Sequence, residues 1–218
     1  MDFKAARRIM VDSQIRPARV TNKDIIDAMS LVPREIFVPQ DHMAIAYMDE
    51  AVPLGGGRFL MEPMVMARLL QAGEIEPLDE VLIIGCATGY MAAIASRLAK
   101  TVVGVESDPV MVRRAAENLA AVGADNAVVL EGDIREGCPT QAPFNVIIFN
   151  GAIAHNPAKF AEQTVEGSRV VAVVQARSWM SGRGTVFTSI GGRLIGRDIF
   201  DAGTPLLPGF ALGSSFTF

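Results

Sequence analysis

From residue 80 onward the chain alternates short apolar runs with amphipathic stretches, and this alternation narrows the fold class more than any other feature. Val81–Ile84, Val102–Val105, Ala127–Leu130, Val146–Phe149 and Arg169–Gln175 read as strands, most of them fully buried. A helix carrying Tyr90, Ile94 and Leu98 follows the first. Asp108 and Pro109 supply the N-cap and first position of a second, with Val112, Ala115, Leu119 and Val122 on one face. Asn156-Pro157 is placed to cap a short third. Strands alternating with helices make a mostly parallel sheet covered on both faces. Thr185–Ile190 and Arg193–Phe200, joined across Gly191-Gly192, read as a hairpin that adds antiparallel strands at one edge.

The first 73 residues follow a different rule. Thr21-Asn22 caps a helix with Ile25, Ile26, Met29 and Val32 on one face, and Pro33 stops it. Residues 34–62 read as irregular, with Gly55–Gly57 as a mobile or ligand-hugging loop. Pro63 starts a helix that Gly73 ends. At 218 residues the length suggests about 1.5 domains. The expected division is an N-terminal helical extension with a substrate loop, 1–73, and an α/β cofactor-binding domain, 74–218.

Composition excludes several classes. Half the residues are hydrophobic and 20% charged, with a mean hydropathy of +0.30, which rules out intrinsic disorder. A net charge of -4 and a pI near 5.3 argue against a nucleic-acid partner. Two cysteines, Cys86 and Cys138, make no disulfide framework and fit a reducing compartment. The first sixteen residues carry charge throughout and lack the apolar stretch of a signal peptide. Prolines, asparagines and glycines interrupt the charge-free runs Cys138–Ala158 and Ala202–Phe218, so neither reads as a membrane helix. The expectation is a soluble, cytoplasmic protein with no nucleic-acid or membrane partner.

In an open parallel sheet, ligands bind beyond the carboxyl ends of the strands. The first strand here runs into Gly85-Cys86-Ala87-Thr88-Gly89, whose small residues let a ligand approach the backbone. By itself this is also what a purely structural turn would use. Glu106, with Ser107 beside it, ends the second strand 21 positions after Gly85, where a carboxylate accepts from two ribose hydroxyls. Asp133, followed by Ile134, lies just past the third strand and can accept from an adenine amine. Together these point to an adenosine cofactor. A dinucleotide needs a third glycine one position later, and no second nucleotide-binding half follows, so S-adenosylmethionine is preferred.

The order of several blocks resembles one family. VDSQIR, AMSLVPREIFVP, AYMDE, the glycine loop before EP, VLIIGCATGYMAAIASRLA, VVGVE, NLAAVGADNAVVLEGD and APFNVII match protein-L-isoaspartate O-methyltransferases from Met10 to Gly209. The resemblance implies a class I methyltransferase fold with S-adenosylmethionine bound by Gly85–Gly89, Glu106 and Asp133. It further implies methylation of the side carboxylate of isoaspartyl residues in damaged proteins.

Three departures accompany it. The family's substrate loop reads like G-Q-T-I-S-Q-P, where this chain has Gly57-Arg58-Phe59-Leu60-Met61-Glu62-Pro63, so Phe59 and Met61 occupy the threonine and serine positions. Ile83 stands where the first strand carries an acidic residue, with GCATG after it in place of G-T-G-S-G. The fourth strand begins Phe144-Asn145 and ends Asn150-Gly151-Ala152. Methyl transfer is an in-line displacement in which positioning dominates, and a carboxylate acceptor is already ionised at neutral pH. No general base is needed, and none is singled out: His42 and His155 both read as turn residues. Asp49, Gly57, Phe59, Met61 and Glu62 are the candidate substrate loop. No metal spacing appears. The expected activity is S-adenosylmethionine-dependent O-methyl transfer to a protein or peptide carboxylate. The alternatives are a homologue that binds the cofactor but is catalytically weak, or one acting on a different small acceptor.

Overall fold

A computed structural model describes residues 1–175 and 181–212; the end of the charge-free run Ala202–Phe218 lies outside the described residues. Asp2 caps α1 (Phe3–Met10) by accepting from the Ala5 amide, and the helix widens into a single π turn over Val11–Ile15. Asn22 caps α2 (Lys23–Leu31), its side chain accepting from the amides of Asp24 and Ile25. The stretch expected to be irregular is ordered instead. It forms two 3₁₀ segments, Arg34–Phe37 and Gln40–Ile45, and an antiparallel hairpin of β1 (Val52–Gly55) and β2 (Arg58–Leu60). Gly55, Gly56 and Gly57 take φ of +94°, +58° and +73°, so the glycine run serves first as the hairpin turn that only such residues adopt cheaply. Pro63 opens α3 (Pro63–Ala72).

The remaining elements are β3 (Glu80–Ile84), α4 (Tyr90–Ala95), β4 (Thr101–Glu106), α5 (Pro109–Ala121), β5 (Ala127–Glu131), β6 (Phe144–Ile153), β7 (Thr164–Val174), β8 (Gly182–Ile190) and β9 (Arg193–Ala202). One seven-stranded sheet has the order β5-β4-β3-β6-β7-β8-β9; its first five strands are parallel, and β8 and β9 are antiparallel additions. The alternation of side chains along each strand divides the core in two. Val81 and Ile83 pack with α3, α4 and the N-terminal helices, whereas Leu82 and Ile84 pack with Phe149, Phe160 and Phe210 on the opposite face. Two details differ from expectation. β5 is an edge strand with Val128 exposed, so it is only half-buried. Asn156 makes no cap, since the short 3₁₀ segment Ala158–Gln163 starts from Pro157 without a side-chain bond.

After β9 the chain doubles back across the end of β6: the Ala152 amide donates to the Pro205 carbonyl (2.9 Å), the Leu207 amide to the Ala152 carbonyl (2.8 Å), and the Ala154 amide to the Phe210 carbonyl (2.9 Å). On the other side, Arg169 of β7 donates from Nε to the Gly73 carbonyl and from Nη2 to the Glu74 carbonyl and the Asp79 carboxylate. Among the described residues no helix is long and apolar enough to cross a membrane.

Candidate active site

β3 and β4 lie side by side in register from Glu80–Thr101 to Ile84–Val105, so their carboxyl ends deliver the glycine loop and Glu106 to the same rim. Gly85 and Gly89 both hold positive φ, +69° and +91°, and Ala87 between them does the same at +50°. The loop is packed tightly beneath: Cys86 lies against Gly104, and Gly89 lies against Ala115 of α5. Burial pushes the Cys86 thiol well above its ordinary range, so it is a packing residue and no nucleophile. Thr88 donates from its hydroxyl to the Phe37 carbonyl (2.6 Å), tying the loop to the 3₁₀ segment below.

Glu106 is completely buried and saturated with donors. Its Oε2 accepts from the Ala87 amide (3.0 Å), and its Oε1 from the amides of Ser107 (2.7 Å) and Asp108 (3.0 Å). The remaining capacity is taken by Arg58, the first residue of β2. Its Nε lies 3.0 Å from both carboxylate oxygens and its Nη2 2.7 Å from Oε1, while Nη2 also donates to the Ser107 hydroxyl. Five donors meet about four lone-pair sites. No acceptor is left for ribose hydroxyls.

The glycine loop is covered as well. A methyl group built on Gly85 would lie 2.7 Å from Leu207 Cδ2, and one on Gly151 would lie 2.7 Å from Leu207 Cγ. The space these glycines open is therefore filled by Leu207. What remains between Gly57, Arg58, Phe59, Met61, Asn150, Gly151 and Thr204–Leu207 is about 10 Å³, room for one water at most. Asn150 donates to the Gly85 carbonyl (2.9 Å), but its buried Oδ1 has no partner among the described residues. The outer end of the rim is open: Ser107, Gly132, Asp133, Ile134 and Pro208 line a groove of about 580 Å³. There Arg135 holds the Asp133 carboxyl down at about 2, chiefly through its side-chain hydrogen bond. The outer groove thus leaves room for a ligand beside Asp133, whose carboxylate is itself held by Arg135, whereas the inner rim, as folded, does not fit the ribose and amino-acid side of S-adenosylmethionine.

The expected substrate loop is dispersed into structural work. Asp49 accepts from the Met64 amide at the start of α3. Glu62 accepts from the Thr204 hydroxyl (2.8 Å), and burial raises its pKa above the ordinary carboxylate value. Gly57 ends the hairpin turn beside Pro208, Phe59 is half-buried, and Met61 is 1% exposed. The Met61 carbonyl accepts from Arg34 Nη2 (2.6 Å), and Arg34 Nε donates to the Ala46 carbonyl. Arg34 is fully buried with no carboxylate in ion-pair range among the described residues, and its guanidinium lies 5.0 Å from the Tyr90 ring centroid. His42 bonds the Pro53 carbonyl through Nδ1, and His155 is exposed. Arg34 and Leu207 were not singled out from the sequence. Arg58 and Asn150 were named there only as departures from the resembling family, Arg58 as the cation standing where its loop has glutamine.

A family model for protein-L-isoaspartate(D-aspartate) O-methyltransferase matches residues 6–182. The protein-L-isoaspartate O-methyltransferase of Roseiflexus castenholzii is 37% identical over 177 residues, 81% of this chain and 81% of its own. Protein-L-isoaspartate O-methyltransferase 2 of an Anaeromyxobacter species is 38% identical over 165 residues, 76% of this chain and 68% of its own. A solved protein-L-isoaspartate O-methyltransferase superposes with a TM-score of 0.79 at 23% identity, covering 94% of this chain and 67% of that one. A Plasmodium falciparum structure described as such an enzyme, in complex with S-adenosyl-L-homocysteine, gives a TM-score of 0.76 at 17% identity, covering 95% and 98%. These two superpositions establish the class I methyltransferase fold. With the family model spanning most of the chain and relatives above 35% identity over most of its length, the chain belongs to the protein-L-isoaspartate(D-aspartate) O-methyltransferase family, which are S-adenosylmethionine-dependent O-methyltransferases.

Proposed function

We propose that this chain carries out its family's reaction on a protein or peptide carboxylate in a reducing, cytoplasmic setting, with the adenosine of S-adenosylmethionine recognised by Gly85–Gly89, Glu106, Ser107, Asp133 and Ile134. The observation that carries the reading is the shared rim of β3 and β4, where the glycine loop donates to Glu106 through the Ala87 amide. Residues 1–73 act as the acceptor side and 74–218 as the cofactor side. An isoaspartyl carboxylate is ionised at neutral pH, so the chain's task is to place it rather than deprotonate it. That agrees with the histidines, neither of which lies in the site. Met61 cannot donate a hydrogen bond to the acceptor, and Phe59 adds bulk beside it. Free, buried Cys86 and Cys138 support the reducing setting.

The test is single-turnover transfer of labelled methyl to an isoaspartyl peptide, wild type beside Phe59→Thr/Met61→Ser. Restoring one charge-assisted hydrogen bond of about 2–3 kcal/mol in the transition state should raise the rate roughly 30- to 150-fold. Inactivity of both proteins toward the peptide, with turnover of another acceptor, would replace the isoaspartyl assignment by that acceptor.

A further inference from the structure

We propose that Arg58 is an internal ligand of the ribose site, and that with Leu207 it decides whether this chain takes up its cofactor; the inference rests on the adenosine site read above. Every part of the closure comes from two segments that touch each other. The β1–β2 hairpin brings Arg58 to Glu106, and residues 203–210 bring Leu207 over Gly85 and Gly151. They meet where Gly57 faces Pro208 and where Thr204 donates to Glu62. Arg58 is 5% exposed and Leu207 3%, so neither is a surface side chain resting near the site. A guanidinium presenting Nε and Nη2 to one carboxylate imitates the paired hydroxyls of a ribose, with a charge added. Leu207 imitates only bulk. It leaves Asn150 Oδ1 buried without a donor, an acceptor that a polar ligand in the same space would satisfy.

Uptake is then an exchange. Arg58 leaves Glu106 for solvent, Leu207 leaves the glycines, and the carboxylate accepts from the incoming hydroxyls. Affinity falls by the fraction of molecules in which both segments have withdrawn. Glu106 survives the exchange because three backbone amides, those of Ala87, Ser107 and Asp108, hold it without Arg58. Removing the arginine should therefore open the site and leave the fold intact.

The experiment titrates S-adenosyl-L-homocysteine into the whole chain by calorimetry, comparing wild type with Arg58→Gln and Leu207→Ala, with thermal melts as the folding check. Arg58→Gln restores the residue of the resembling loop, and Leu207→Ala probes the other segment should the first variant melt early. The expected result is binding at least tenfold tighter in Arg58→Gln than in wild type, with Leu207→Ala shifted in the same direction. Wild type binding as tightly as both variants would overturn the proposal and leave the cofactor assignment standing. Folded variants that bind no better than a non-binding wild type would overturn both.

Discussion

At the scale of single residues, the buried charges govern what can be changed. Arg58 and Glu106 form an ion pair in which the two partners are not equivalent. Glu106→Ala leaves the amides of Ala87, Ser107 and Asp108, as well as Arg58, without their acceptor and should cost about 3–5 kcal/mol of stability, seen as a fall in the urea midpoint. Arg58→Gln leaves a carboxylate with three amide donors and should cost far less. Equal losses for the two variants would show that the amides do not hold Glu106 in place. Arg34 is a second such residue. It donates to the carbonyls of Ala46 and Met61, with burial lowering its pKa and Tyr90 facing its guanidinium. Arg34→Met keeps most of the volume and removes both charge-assisted bonds, so a loss of about 2–4 kcal/mol is expected by the same measurement. The sequence displayed Arg34 as an ordinary polar letter and Arg58 only as a cation in place of the resembling loop's glutamine. Burial is a property of what surrounds a residue, and their side-chain hydrogen-bond partners lie 12 to 49 positions away in the chain.

At the scale of elements, the helix α4 depends on how closely it can approach α5. Gly89 precedes it at φ +91°, and a methyl group there would lie 3.2 Å from Ala115 Cβ. Gly89→Val adds a β-branched side chain to a left-handed position and pushes the helices apart, an expected cost of about 1–3 kcal/mol. A melt unchanged by this substitution would mean the loop relaxes freely. The parallel strands, the Asn22 and Asp108 caps and the closing hairpin were all legible, because apolar period and capping chemistry are local. The β1–β2 hairpin was not: Val52–Gly55 and Arg58–Leu60 are too short to show a period, and Gly55–Gly57 suits a turn and a ligand loop equally. Position within the sheet was equally hidden. Ala127–Leu130 has the apolar letters of a central strand, yet among the described residues only β4 pairs with β5.

For the whole molecule, acid and base act on opposite groups. Burial raises the pKa of Glu62 in the folded chain from its ordinary 4.5, so its contribution is fully present below that value and lost as pH rises through the folded pKa. Glu62→Gln should therefore raise the melting temperature at pH 8 and give no gain at pH 4; a gain of the same size at both would sink this assignment. Asp133 runs the other way. Its carboxyl, held at about 2 beside Arg135, contributes stability above 3.8 that disappears as pH falls toward 2. Asp133→Asn should lower the melting temperature slightly at neutral pH and leave it unchanged near pH 2, flattening the acid limb; a loss of the same size at both would sink this assignment. Arg169 bears on the molecule in another way. By gripping Gly73, Glu74 and Asp79 at once, it pins the turn between α3 and β3 to the far strand β7. The N-terminal helices also share one apolar core with that face of the sheet. Opening the molecule at residues 73–79 would have to break all three Arg169 bonds and part that shared core, so the proposed exchange asks movement only of the β1–β2 hairpin and residues 203–210, two short coverings at the edge of the sheet.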